Sequence, residues 1–466
     1  MTPLAFSPDV DPTTPGVMVD INNLIPNDRG YQDAPQLENL TNNPITDAGF
    51  FPQTAVMLFS PTYGEWRIFV GATTGIYERV ATGWEKRFTA GASSYFPWSF
   101  RQFGSAVLAT LPFITTIRTT SAPFFNTFNV ITGAPRALAL CVTTTHQVMA
   151  LSTSIEERDS WWCSALGDHT NWTPSLATQA ATGRLLSTPG PITGGIEFGP
   201  HIVAFKERSM YWMRYVNVPV VWATEVISNE VGAISNQSIL DVGERILFVG
   251  PSDIYSFDGT RPVAIGAGVK RWFFDRLYRP YQDHIKGVYD ETTGCAWWWY
   301  PTSDQDLRTN KNAIVLHVPS GRWGHASVEV GAPLVLRESD KTSATLWAQY
   351  DHGPSIIGAV MDGDLQAVRE RTAEATIRLG WFGDDMTQST LTKLRPRFLD
   401  APPSATGTFY KTDDLDTEEL SKISELVRGS FDTNQNANWH SAEMVLRAPF
   451  EVAGISHDIP RPAGKR

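Results

Sequence analysis

A short strand–turn–strand pattern occurs three times in this chain and limits the folds that it can adopt. Arg67–Arg79 reads RIFVGATTGIYER, His201–Arg214 reads HIVAFKERSMYWMR, and Arg245–Gly259 reads RILFVGPSDIYSFDG. Each copy has an apolar run, a tight turn and a second apolar run, which is the pattern of a β-hairpin. A chain that repeats one hairpin in this way is predicted to build its core from repeated β units.

The spacing of these hairpins predicts a β-propeller. Tyr211 and Tyr255 occupy the same position after the turn and are 44 positions apart, while Tyr77 precedes Tyr211 by 134 positions. A four-stranded propeller blade needs about 40–45 residues, so the second distance corresponds to three blades. Weaker copies of the pattern lie in four further segments: Ala106–Ile117, Leu138–Leu151, Gly287–Tyr300 and Leu346–Val360.

We therefore expect an all-β chain with a propeller of six blades. Seven is the alternative count, because a strand from one end of the repeat region can complete a blade begun at the other. The run Cys295–Tyr300, CAWWWY, supports stacked blades. Side chains alternate between the two faces of a strand, so a strand that is apolar on both faces must be covered on both.

Three regions are expected along the chain. Residues 1–45 form an N-terminal arm rich in Pro, Asn and Asp, residues 46–370 form the propeller, and residues 371–466 form a smaller C-terminal β platform to which the arm contributes. Val269–Tyr278 breaks the β pattern, since its apolar residues share one helical face. We also expect the propeller to fold without residues 371–466.

The charge balance disfavours tight binding to nucleic acid. The chain has 38 Lys and Arg against 49 Asp and Glu, a net charge of −11, and no dense basic run occurs in the sequence. The start of the chain lacks the basic and apolar regions of a signal peptide. The three cysteines, Cys141, Cys163 and Cys295, are far apart in sequence and are expected to be reduced, partly buried thiols.

No motif for catalysis, cofactor binding or metal binding occurs in the sequence, so we expect no catalytic, cofactor or metal residues and no enzyme activity. His169 and His325 lie beside turn residues and tryptophans and are expected to be packing residues. Ser256–Gly259 approaches the Asp box of sialidases, but glycine follows Asp258 directly and no aromatic residue closes the motif.

Several segments resemble the tail hub or nozzle proteins of short-tailed bacteriophages, which are also called packaged-DNA stabilisation proteins. The most specific is Trp161–Pro174, in which Trp162, Ser164, Gly167, Asp168 and Trp172 match a W-S-x-x-G-D type of blade segment. The other segments are Asn23–Pro26 followed by Gly30, Arg101–Gly104, Phe248–Pro262, Lys270–Leu277 and Asn438–His440.

The resemblance implies a structural virion protein. It implies a homohexamer that extends the DNA-ejection channel below the portal and its adaptor, or head-to-tail connector, and helps to retain packaged DNA. The implied partners are that adaptor, tail fibre, spike or needle proteins, and double-stranded DNA that passes without specific binding. The protein would be made in the bacterial host cytoplasm and assembled there into the phage tail.

Two other classes of function remain open from the sequence alone. One is a carbohydrate-binding or glycoside-cleaving propeller, and the other is an intracellular propeller that binds proteins. A self-contained propeller needs neither terminal region, whereas a subunit of a ring needs surfaces outside the propeller. The terminal regions therefore favour the virion protein.

Overall fold

The computed structural model describes residues 2–462 with gaps at 41–42, 62–63, 81–82, 92–95, 122–126, 304–308, 338–354, 362, 372 and 458–460. Part of the Leu346–Val360 hairpin lies outside the described residues. The N-terminal region contributes six short strands: β1 (Thr2–Pro3), β2 (Ala5–Phe6), β3 (Val17–Asn22), β4 (Leu24–Pro26), β5 (Tyr31–Asp33) and β6 (Gln36–Asn39).

Five separate four-stranded antiparallel sheets follow in chain order. The first is β7 (Pro52–Ser60), β8 (Glu65–Ala72), β9 (Gly75–Val80) and β10 (Gly83–Thr89), and the second is β11 (Ser99–Phe103), β12 (Ala106–Leu111), β13 (Thr115–Ser121) and β14 (Asn129–Val130). The third is β15 (Ala139–Val142), β16 (Val148–Leu151), β17 (Ser160–Cys163) and β18 (Ala181–Arg184). The fourth is β19 (Ile192–Phe198), β20 (His201–Lys206), β21 (Met210–Asn217) and β22 (Val221–Ser228), and the fifth is β23 (Leu240–Asp241), β24 (Ile246–Val249), β25 (Ile254–Phe257) and β26 (Pro262–Ala264).

Two further units complete the propeller. One is β27 (Lys286–Asp290), β28 (Cys295–Tyr300), β29 (Asn312–His317) and β30 (Arg322–Ala326). The other is β31 (Ala332–Arg337), β32 (Ser355–Met361) and β33 (Asp364–Glu370), and its fourth strand is β6 from the N-terminal region. The first strands of neighbouring units contact each other around a ring that closes between β31 and β7, except that β19 meets the fifth sheet through residues 236–238, which precede β23.

This arrangement confirms the predicted all-β propeller. Six of its units are separate four-stranded sheets, which is the number of blades predicted from the sequence. The unit β27–β30 stands in the same ring between β23 and β31, but it continues into a larger sheet. The predicted closure by a strand from the other end of the chain is also present, since β6 pairs antiparallel with β33. Residues 36–39 therefore belong to the propeller rather than to the N-terminal arm, because only they supply the missing strand of the last blade.

The C-terminal region supplies the remaining strands: β34 (Glu374–Leu379), β35 (Phe382–Gly383), β36 (Ser389–Asp400), β37 (Ala405–Thr412), β38 (Glu419–Glu425), β39 (Phe431–Ala437), β40 (Trp439–Arg447), β41 (Glu451–His457) and β42 (Arg461–Pro462). They join N-terminal strands in two sheets. A seven-stranded sheet runs β2-β3-β34-β40-β37-β38, with β35 paired to β40. The second sheet contains β4, β5, β41, β36 and β39, and the two sheets together form the platform. Strands from both terminal regions build it, as the sequence predicts.

The platform and the propeller share a sheet and a core. The order β27-β28-β29-β30-β4-β5-β41-β36-β39 runs without interruption from a propeller blade into the platform. One cluster of buried side chains contains Trp298 and Trp323 from that blade together with Leu391 and Phe450 from the C-terminal region. This continuity argues against the expectation that the propeller folds without residues 371–466.

The tryptophan strand is buried on both faces, as predicted. Trp297, Trp298 and Trp299 are at most 2% exposed. Trp298 belongs to the core shared with the platform, whereas Trp297 and Trp299 stack on each other and pack towards the last blade with Val330.

The helical segment is also confirmed. Helix α1 (Lys270–Arg276) buries Trp272 and Phe273. Trp272 contacts Phe6 edge to face, and Phe273 contacts Tyr300 in the same way. Two 3₁₀ helices flank this part of the chain, η1 (Asn236–Ser238) and η2 (Arg279–His284). Asp9 from the N-terminal arm accepts hydrogen bonds from the first backbone amides of α1, so the arm also holds this helix against the propeller.

Candidate functional site

The first strands of the blades surround an axial cavity. Its wide part, about 790 Å³, is lined by the middle and later residues of those strands, among them Met57, Gln102, Tyr289 and Val335. Its narrow part, about 170 Å³, lies at their beginnings and includes Thr54 and Ser99. Ala55, Phe100, Ile239 and Gly287 line both parts, so the two parts adjoin each other among the first strands of the blades.

Polar side chains connect different blades at the narrow part. Gln237 donates to Thr54 Oγ1 at 2.7 Å, and Thr54 Oγ1 donates to the carbonyl of Trp98 at 2.9 Å. Ser99 Oγ accepts from the amide of Leu140 at 3.1 Å, and Asn236 Oδ1 accepts from the amide of Gly195 at 3.1 Å. These bonds satisfy groups at the ends of short inner strands, where a regular ladder has no further partner.

An ion pair crosses from the second blade to the fourth. Arg101 Nε lies 3.0 Å from Glu197 Oε1, and the same oxygen accepts the amide of Val142 at 2.7 Å. The Glu197 carboxylate raises the pKa of the Arg101 guanidinium. The pair is therefore neutral as a unit and ties three blades together.

The three thiols are free and buried, which confirms the prediction from the sequence. Burial raises the pKa of Cys163 to about 11 and that of Cys295 to about 12, and it raises the pKa of Cys141 well above its ordinary value. A thiol with a raised pKa carries little thiolate at neutral pH and is a poor nucleophile.

A second cavity, of about 480 Å³, lies in the platform and brings a serine close to a histidine. Ser389 lines this cavity, and its Oγ is 2.9 Å from His440 Nε2. The Gln435 amide nitrogen donates to the Tyr410 carbonyl at 3.0 Å and lies 2.9 Å from His440 Nδ1. Because that nitrogen can only donate, Nδ1 accepts and Nε2 carries the proton that points at Ser389. This direction is the reverse of what a general base needs.

The outer face of β36 carries a row of cations that the sequence did not reveal as a patch. Lys393, Arg395 and Arg397 are exposed and alternate with buried Leu394 and Pro396. At about 3.4 Å per residue the cations are about 7 Å apart on one face of the strand. Because buried residues separate these cations in the sequence, the row does not appear as a run of consecutive basic residues.

Within the phage-like segment Trp161–Pro174, the matched residues serve the fold of the third blade. Ser164 Oγ accepts from the amide of Val148 at 3.0 Å, and the buried Trp172 indole donates to the carbonyl of His169 at 2.9 Å. Asp168 accepts from the amide and hydroxyl of Thr170.

His325 and Asp258 also have local contacts. His325 is buried and packs edge to face against Trp272, and burial lowers its pKa to about 4. Asp258 accepts from the amide and hydroxyl of Thr260 in the turn after β25.

Neither a metal-binding cluster nor a membrane-spanning helix is found among the described residues. No group of three or more His, Cys, Asp or Glu side chains in the described part of the chain could hold a metal ion. No helix in that same part is long and apolar enough to cross a membrane. The features that the sequence missed, namely the axial cavity, the Ser389–His440 pair and the cation row, all depend on contacts between distant segments or on strand alternation.

The comparisons with known proteins are distant. No protein-family model and no curated protein matches the chain. Among solved structures, the chain is similar to the extracellular domain of a putative one-component system of B. thetaiotaomicron, with a TM-score of 0.46 and 8% identity over 83% of this chain and 47% of that chain. This chain thus matches less than half of that structure's length.

Two smaller structures are also similar to this chain. They are BBS1N, with a TM-score of 0.40 and 9% identity over 72% of this chain and 96% of that one, and the AfRom2 CNH domain, with a TM-score of 0.39 and 9% identity over 71% and 97%. The strand topology, rather than these distant similarities, defines the chain as a β-propeller protein.

Proposed function

We propose that this chain is a structural protein of a virion, the tail hub or nozzle of a short-tailed phage. Six copies would form a ring below the portal and its adaptor, extend the channel for DNA ejection and help to retain packaged DNA. Fibre, spike or needle proteins would attach to it. The resemblance of Trp161–Pro174 and the other matched segments motivates this proposal.

The observation that carries the proposal is the fusion of platform and propeller. Strands from both chain ends build the platform, and β30, β4, β5 and β41 join it to a blade in one sheet. Asp33, whose side chain is fully buried, pairs with Arg371 and accepts the Phe450 amide at 3.0 Å. A body of this kind suits a part that must transmit force without changing shape, because the platform cannot pivot about a flexible linker.

The platform also offers surface to a neighbouring copy. Strand β38 is at the edge of the seven-stranded sheet, where it pairs only with β37. Leu420 and Ile423 on this strand are each 61% exposed. Exposed edge strands with apolar side chains favour association with another chain, and ring subunits use unlike surfaces that meet head to tail.

We expect the purified protein, alone or with its adaptor, to form a ring of six subunits. Mass photometry and negative-stain electron microscopy would measure the mass and the symmetry. Leu420→Lys/Ile423→Lys should convert the ring to monomers, because lysines on this edge would oppose its burial. The control Val263→Lys changes a side chain of the fifth blade that is 48% exposed and should leave the ring intact. Monomers under all conditions would contradict the proposal.

We expect double-stranded DNA to bind this ring only weakly and without sequence preference. The net charge of −11 opposes polyanions, and a conduit must release DNA. What contact there is should use the cation row on β36, so Lys393→Gln/Arg395→Gln/Arg397→Gln should reduce the slope of log K against log salt by about 3 at most. A triple change of three exposed cations outside the platform is the control: Arg208→Gln/Arg245→Gln/Lys311→Gln.

Fluorescence anisotropy over a series of salt concentrations measures both quantities. Tight binding at physiological salt with a steep slope would contradict a conduit through which DNA slides. A slope that is unchanged by the β36 variant but lowered by the control would place the contact elsewhere on the chain.

The wide part of the axial cavity favours a second candidate, a carbohydrate-binding propeller. Trp66 and Tyr289 line it together with Asp241 and Glu291, and aromatic rings with carboxylates are the groups that bind sugars through their faces and hydroxyls. Binding to members of a glycan panel, abolished by Trp66→Ala, would favour this candidate over the virion protein.

A further inference from the structure

The narrow part of the axial cavity contains a buried lysine without an acidic partner. Lys286, the first residue of β27, is 7% exposed and lines this cavity. Its ammonium donates to the carbonyl of Gly331, and no carboxylate of the described residues forms an ion pair with it. A buried charge normally has an opposite charge or several hydrogen bonds, so the carbonyl leaves most of this cost uncompensated.

The surroundings of Lys286 confirm the excess of positive charge. Burial alone lowers the pKa of the ammonium to about 8, with no attraction from a neighbouring carboxylate. Arg101 also lines this cavity, but it is paired with Glu197, whose carboxylate is engaged by Arg101 and by the amide of Val142. With a pKa of about 8, the ammonium of this cavity-lining residue is mostly protonated at neutral pH.

Two amide side chains that can donate hydrogen bonds line this end of the cavity with Lys286. Asn236 accepts the Gly195 amide through its oxygen, and its amide nitrogen has no partner among the described residues. The Gln237 amide nitrogen uses one of its two hydrogens on Thr54. An ammonium and two amide groups that can donate suit an acceptor with negative charge.

The dimensions of the cavity limit the size of such a ligand. About 170 Å³ corresponds to roughly six water molecules at about 30 Å³ each. This space accommodates inorganic phosphate or a short carboxylate but not a nucleotide. The wide part of the cavity adjoins this space, since Phe100 and Gly287 line both.

We propose that the narrow end of the axial cavity binds one small phosphate or carboxylate anion against the Lys286 ammonium. The anion would bridge β27 to the loop around η1 and the inner end of the first blade. It would fill a space that connects several blades, so its binding should stabilise the ring of blades as a whole. This site does not depend on the proposed role in a phage tail.

Binding to the full-length protein tests this proposal directly. Equilibrium dialysis with radiolabelled inorganic phosphate should show one site per chain, with acetate competing and chloride at equal ionic strength without effect. Lys286→Met keeps the length of the side chain and removes its charge, and it should weaken phosphate binding about tenfold or more. The exposed Lys311→Met is the control and should bind as the unchanged protein does.

Thermal melts provide a second measurement that does not depend on the variant folding well. The melting temperature of the unchanged protein should rise with phosphate concentration beyond the rise in chloride, since a ligand of the native state stabilises it by mass action. No phosphate or acetate binding above the chloride control would overturn the proposal. Equal rises in the unchanged protein and in Lys286→Met would also overturn it, because they would indicate general exclusion of phosphate from the protein surface.

Discussion

A chain that lacks residues 371–466 is expected to lose the cooperative fold of the propeller as well as the platform. The deletion removes β41, the partner of β5, and β34, the partner of β3. Strand β5 would then lose the partner on its outer side, and β4 would stay in the sheet through its single-residue pairing with β30 at Leu24 and His325. The deleted segment also supplies Leu391, Met444 and Phe450 to the core that covers Trp298 and Trp323.

The energies indicate why the loss should extend to the propeller. Each large apolar side chain that is uncovered loses about 1.5–3 kcal/mol, and several lose their cover at once. The whole net stability of a domain is only about 5–15 kcal/mol. The truncated chain should therefore be insoluble or should melt without a cooperative transition.

Circular dichroism and a thermal melt of the 1–370 fragment beside the full chain measure this effect. A chain with Met386→Ser/Val427→Ser is the control, since both side chains are exposed on the platform outside the proposed interface strand β38 and should change stability little. A soluble 1–370 fragment that melts cooperatively near the full-length temperature would contradict the shared core.

Replacing Trp298 with alanine is expected to reduce the free energy of unfolding by about 3–5 kcal/mol. The Trp298 ring is fully buried, and its indole donates to the carbonyl of Ser238 at 2.9 Å. The substitution leaves a cavity beside Leu240 and Gly287 and an unpaired carbonyl. Urea denaturation followed by circular dichroism would measure the change.

Two matched variants make this measurement specific. Trp298→Phe retains much of the ring volume but loses the hydrogen bond, so its free energy of unfolding should fall between those of the alanine variant and the unchanged protein. Leu186→Ala truncates a side chain that is 69% exposed and should shift the urea midpoint little. If Trp298→Ala and Leu186→Ala shifted the midpoint equally, burial of Trp298 between blade and platform would be rejected.

The propeller could be predicted from sequence because each blade carries a local signal. Tyr77, Tyr211 and Tyr255 all lie on the third strand of their blades, in β9, β21 and β25, and this common place produced the spacing. The weaker copies were less uniform. Leu138–Leu151 covers the first and second strands of its blade rather than the second and third. The two cases look alike in sequence, because any antiparallel hairpin with apolar strands gives the same local pattern.

The platform and the axial cavity could not be predicted in detail because their contacts join distant segments. His325 faces Leu24 where the blade continues into the platform, and nothing in either segment specifies that pairing. Lys286 reads in the sequence as an ordinary solvent-exposed lysine ahead of a strand. Its burial depends on β31 and η1 meeting β27 at the axis, which is a property of the closed ring.

Closure of the ring by β6 has a consequence for the order of events during synthesis. Gln36–Asn39 leaves the ribosome early, but its partner β33 ends at Glu370. At about 5–20 residues per second, roughly 20–60 s pass between the two. During that time the first blades can form, yet the N-terminal segment has no partner strand and must stay free of wrong ones. The nascent protein is thus an open arc that becomes a ring only after β33 has been synthesised, and this interval is when chaperones or proteases have their best access to it.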